Sequence, residues 1–146
     1  NNTPKEFVEM SIRQLSNEVA VCGQISPDDL EAIAQLGFKT IVNNRPDHEV
    51  GAQLAHAVIE AKAKSLGLAI HYLPMEVGQP PSEILLEDFK RILDAAEKPV
   101  LAYCRSGMRS TTLWALSQAG RMPWPAVVEQ AARSGFNLTG LAAPVG

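Results

Sequence analysis

Cys104 is the residue around which chemistry can be built. It follows an apolar run, residues 99–103, and is itself followed by Arg105, Ser106, Gly107, Met108, Arg109 and Ser110. A cysteine between a buried strand and a helix start sits where loop amides and the helix N-terminus converge, an arrangement that binds anions and stabilises thiolates. Arg105 and Arg109 add positive charge, and Gly107 permits a tight turn. The expectation is a Cys104 nucleophile in an anion cradle of Arg105, Ser106, Gly107, Met108 and Arg109. Ser110 is expected to cap the following helix and to offer its hydroxyl to the sulfur. Cys22 lacks such surroundings and reads as a structural thiol.

The three histidines, His48, His56 and His71, share no metal-ligand spacing with a cysteine or an acid pair. His56 is expected on a helix surface, His71 in a packed or edge strand position, and His48 on the surface beside the turn at Asp47. No metal or organic cofactor is implied.

Elements alternate along the chain around this loop. Thr3-Pro4 opens a helix expected to run to about Leu15. Val19 to Cys22 reads as a strand, and Ser26-Pro27-Asp28-Asp29 as a helix start whose acids suit the dipole. Residues 38–43 form the next strand, closed by the turn Asn43-Asn44-Arg45-Pro46-Asp47. Leu54, Val58, Ala61 and Leu66 suggest an apolar helix face, followed by a strand over 68–73. After a Gly78-Gln79-Pro80-Pro81 loop, Ser82 caps a helix with Leu85, Phe89, Ile92 and Ala96 on one side. The apolar strand before Cys104 and helices near 110–118 and 125–134 complete the pattern. The expected fold is α/β: one domain over residues 1–146, with a mostly parallel sheet of four to five strands flanked by helices. In such sheets the site lies at the carboxyl ends of the strands.

Composition narrows the partners. A length of 146 residues with 46% apolar content suits a compact core. The net charge of −3 argues against a general nucleic-acid binder, and no apolar run approaches a membrane span. Two cysteines are too few for a disulfide scaffold. The first residue is Asn1, so whether a leader preceded it stays open, and the cytoplasm is the default expectation.

The segment from Cys104 to Ser110 resembles the active-site loop of rhodanese-like sulfurtransferases. Residues 38–47 and 73–81 are similar to the strand-turn and general-acid loop of atypical dual-specificity phosphatases. Together with Gly23-Gln24-Ile25-Ser26, the combination resembles the beta-lactamase hydrolase-like family, from about Val19 to Leu141. The resemblance implies a dual-specificity (tyrosine) phosphatase-like fold. It also implies a sulfur-oxidising partner, since members stand alone or precede a metallo-beta-lactamase-fold sulfur dioxygenase. The phosphatase motif would place its arginine at Ser110, one residue beyond Arg109, and has His where Tyr103 stands. Loop matching puts Val77 at the acid position, with Glu76 facing elsewhere and Asp47 a possible substitute. Arg45 and Asp47 are expected to line the mouth of the site. A sulfurtransferase needs no dedicated acid, because an anionic donor passes its outer sulfur to Cys104 and then to a thiol. The sequence therefore favours a rhodanese-like sulfurtransferase using an anionic small molecule or persulfide. The alternatives are a phosphatase working through a Cys104 phosphocysteine, and a non-catalytic binding or redox-sensing module.

Overall fold

The computed structural model describes residues 8, 9 and 11–144. Among the described residues, five strands form one sheet, in the order β1-β2-β5-β3-β4. They are β1 (Arg13–Gln14), β2 (Val19–Cys22), β3 (Thr40–Asn43), β4 (Ala69–Tyr72) and β5 (Val100–Tyr103). β2, β5, β3 and β4 run parallel, and β1 joins the β2 edge antiparallel. The α-helices that lie wholly within the described residues are α1 (Asp29–Gln35), α2 (His56–Ser65), α3 (Glu83–Ala95), α4 (Met108–Ser117) and α5 (Trp124–Arg133).

β2, β3 and β5 carry buried residues at every position, the pattern of strands covered on both faces. Alternate side chains divide between two cores. Val19, Val21, Val42, Val100 and Ala102 meet Phe89 and Leu93 of α3, Leu113 and Trp114 of α4, and Val127 of α5. Ala20, Cys22, Ile41, Leu101 and Tyr103 meet Leu30 and Ile33 of α1 and Ile59 and Ala63 of α2. Phe89 and Trp114 are almost wholly enclosed, and burying a large apolar side chain contributes about 1.5–3 kcal/mol.

Local signals explain the helix starts. The Asp29 carboxylate accepts from the backbone N–H of Ser26 at 2.8 Å, one half of a capping box. Ser82 Oγ accepts from the Leu85 N–H at 3.1 Å and fixes the start of α3.

Three expectations are corrected. The helix foreseen to Leu15 begins outside the described residues, and at its far end Arg13–Gln14 are a strand, because they find the free edge of β2. In α2 the buried face is His56, Ile59 and Ala63, whereas Val58 and Ala61 are exposed. His56 is drawn in by its partners: its ring stacks on Tyr72 at 4.4 Å, and its Nδ1 lies 3.1 Å from the Asn43 amide. Finally, α4 starts at Met108, two residues before Ser110.

Register brings Cys22, Tyr103, Asn43 and Tyr72 into one row at the carboxyl ends of the four parallel strands. The chain segments that leave this row are Gly23 onward, Cys104 onward, Asn44 onward and Leu73 onward. They meet at one edge of the sheet, and the site forms there.

Candidate active site

Cys104 is 1% exposed at the head of β5. The Gly107 N–H donates to its Sγ at 3.2 Å, so the sulfur already receives one of the loop amides. Gly107 has a φ of +96°, and a Cβ there would come within 3.0 Å of the Phe136 ring. The turn therefore excludes larger residues on both conformation and space. Gly23 serves the same loop from β2, where a Cβ would lie 2.8 Å from the Arg105 carbonyl oxygen. That carbonyl accepts from the Gln24 N–H at 3.3 Å.

Arg109 occupies the first turn of α4. Its Nη1 and Nη2 donate to the two Glu49 oxygens at 2.8 Å each, and Nη1 also donates to the Met75 carbonyl at 2.7 Å. A guanidinium has five N–H donors. The two left over, Nε–H and the second Nη2–H, share one edge, and the neighbouring Cys104 adds to the environment that favours the charged arginine. The Glu49 hydrogen bonds push Arg109 up from its ordinary value, against the pull of burial. Glu49 in turn lies below the usual carboxylate range, chiefly through Arg109 and then Arg45, whose Nε donates to Glu49 Oε1 at 3.2 Å.

Asn44 joins three elements and carried no sequence signal beyond its place in a turn. Its N–H donates to the Tyr103 carbonyl at 2.7 Å, and its amide donates to the Leu73 carbonyl at 2.9 Å. Its Oδ1 accepts from Ser110 Oγ at 2.8 Å. Ser110 is thus neither the cap of α4 nor a partner of the sulfur; the residue before the helix is Gly107.

A cavity of about 550 Å³ opens over the loop, lined by Arg105, Ser106, Met108 and Arg109 on one side and by Met75 to Pro81 on the other. A second, of about 420 Å³, adjoins it through Glu76, Val77 and Arg105 and is lined by Arg45, His48 and Glu49. Asp47 lines neither. Its Oδ1 accepts from the His56 N–H at 2.8 Å and so holds the start of α2. Glu76, expected to face elsewhere, lines both cavities. His48, expected as a surface residue, is exposed there and meets Glu76 through Nε2 at 2.9 and 3.0 Å.

His48, Glu49 and Glu76 bring ligand-type atoms within 4.8 Å of one another. Glu49 commits both oxygens to Arg109 and Glu76 commits both to His48, so the group is a hydrogen-bonded network rather than an open metal cage. Tyr103, which precedes the cysteine, is fully buried, and its hydroxyl finds no hydrogen-bond partner among the described residues. Burial likewise pushes the Cys22 thiol far up, away from reactivity. No helix among the described residues is long and apolar enough to cross a membrane.

Comparison with known proteins agrees with this fold. A crystal structure of a candidate phosphatase from Neisseria meningitidis Z2491 superposes with a TM-score of 0.79 at 35% identity, over 90% of this chain and 93% of that one. The active form of Tk-PTP shares the fold, with a TM-score of 0.72 at 19% identity over 86% and 84% of the two chains. A beta-lactamase hydrolase-like protein of Xylella fastidiosa Temecula1 is 33% identical over 131 residues, which is 88% of this chain and 30% of the relative. The chain therefore spans about a third of the curated relatives it matches. Residues 11–121 match the family model for the phosphatase-like domain of beta-lactamase hydrolase-like proteins, and the chain belongs to that family.

Proposed function

We propose that this domain is a phosphatase that cleaves phosphate monoesters through a Cys104 phosphocysteine. The observation that carries the reading is the free edge of Arg109. The one-residue shift of this arginine toward Cys104 had argued against phosphoryl chemistry. Glu49 and Met75 take three of the five N–H donors of the guanidinium and leave Nε–H and one Nη2–H as a parallel pair on one edge. Such an edge grips two oxygens of one phosphoryl group. Loop amides and the start of α4 serve the third oxygen and the charge that spreads in the transition state. Cys104 Sγ attacks phosphorus, the ester oxygen leaves, and water then releases phosphate from the sulfur. The 35% identity to the Neisseria candidate phosphatase supports the same reading.

The test is acid-quench mass spectrometry after mixing with an aryl phosphate. A phosphoryl mass gain on the Cys104 peptide, absent in Cys104→Ser, supports the proposal; steady Cys104-independent hydrolysis sinks it.

A second reading is favoured by one specific observation, the shortened spacing from Cys104 to Arg109, which is that of the rhodanese-like loop. The same cradle would hold thiosulfate or the sulfite it releases, with Cys104 carrying a persulfide to a thiol acceptor. A sulfur-oxidising enzyme would then be the natural partner. A one-sulfur mass gain from thiosulfate, reversed by reductant, distinguishes this chemistry from phosphoryl transfer.

A further inference from the structure

We propose that Glu76 and His48 act together as the proton donor to the leaving oxygen, a role that the loop's Val77 cannot fill. This rests on the phosphatase reading above. Three carboxylates, Asp47, Glu49 and Glu76, stand on the described segments that follow β3 and β4 at this end of the sheet. Asp47 gives an oxygen to the His56 N–H, and Glu49 gives both of its oxygens to Arg109. Glu76 is the one carboxylate among the residues lining the larger cavity, where it faces Arg105, Ser106 and Arg109. Its side chain is 57% exposed and that of His48 is 64% exposed, so a substrate can reach both.

The pairing supplies what a lone carboxyl lacks. An ordinary glutamate has lost its proton at neutral pH, whereas imidazole exchanges its proton there. Nε2 lies 2.9 and 3.0 Å from the two Glu76 oxygens, so ring and carboxylate are within proton-transfer distance of each other. Arg45 and Glu49 face it from the turn after β3, and Arg105 from the anion loop.

The step balances as follows. The Sγ–P bond forms as the bond from phosphorus to the ester oxygen breaks. That oxygen keeps the electron pair and takes the proton, leaving neutral imidazole beside carboxylate. In the second step the attacking water returns a proton to the pair as the P–S bond breaks, and the Cys104 thiolate is restored.

The experiment compares kcat/KM for p-nitrophenyl phosphate, whose leaving group needs little help, with that for phenyl phosphate, whose leaving group needs more. Wild type, Glu76→Gln, His48→Asn and the double variant are measured, with melting curves to confirm the fold. The expected result is a fall of about 10²-fold for phenyl phosphate in each single variant. A much smaller fall for p-nitrophenyl phosphate, and a double variant no worse than either single one, complete it. Equal small effects on both substrates overturn the proposal while leaving the phosphatase reading intact. Absence of Cys104-dependent cleavage of either ester by the wild type overturns both.

Discussion

Glu49 and Arg109 stand sixty positions apart in the chain and hold each other through two hydrogen bonds of 2.8 Å. One comes from the turn after β3 and the other from the first turn of α4, so the pair fixes the direction of the guanidinium from outside its own loop. Glu49 is a positioning residue, since its oxygens face the arginine and not the sulfur.

Glu49→Gln should lower stability by about 1.5–3 kcal/mol, the range for hydrogen bonds to charged groups. Because the folded state holds Glu49 below the usual carboxylate range, this contribution is complete above the unfolded value of about 4.3 and fades as pH falls through the lower folded value. Melting curves of the two proteins should therefore differ at neutral pH and converge in strong acid. A difference that persists in acid would show that the ion pair is not its source.

Arg109→Lys should keep the charge and lose the two-pronged grip. Turnover should fall by about 10²–10³-fold, the cost of removing one preorganised donor at a developing charge. Cys104→Ser should abolish turnover altogether. Steady-state kinetics on an aryl phosphate check both, and an Arg109→Lys enzyme near wild-type rate would remove the arginine from the mechanism.

Tyr103→Phe should not destabilise the fold. The hydroxyl is buried without a hydrogen-bond partner among the described residues, and such a group costs about 1–3 kcal/mol. Chemical denaturation should show equal or greater stability. A marked loss would mean that the hydroxyl has a partner, such as a bound water.

His56 lies below its ordinary value because burial disfavours the cation. The unfolded chain therefore takes up the proton first, and the wild type should lose stability as pH falls through about 6.5. His56→Gln should flatten that slope. An unchanged slope between pH 7 and 5 would assign the effect to other groups.

The fold was legible where pattern and position agree. The apolar strands β2, β3 and β5 and the loop from Cys104 to Ser110 announce themselves, because a buried parallel strand needs apolar residues on both faces. The family and its phosphatase-like fold followed from the same residues. What escaped depends on contacts distant in the chain. Arg13–Gln14 has no strand pattern and is ordered by the β2 edge. His56 reads as a surface residue until Tyr72 and Asn43 enclose it. Glu49 and Asn44 look like ordinary turn residues, and only folding shows that they orient Arg109 and receive Ser110. The preference for sulfur transfer came from the missing acid at Val77 and from counting residues between Cys104 and Arg109. Counting could not show which edge of the guanidinium would be left free.

β5 has a hydrogen-bonded parallel neighbour on each edge, and its side chains are wholly enclosed. The strand that carries Cys104 thus belongs to the part of the molecule that opens only when everything opens. Loss of activity on heating should then track global melting, with no early phase of inactivation in a still-folded protein. Residual activity would serve as a direct gauge of the fraction of molecules that remain native.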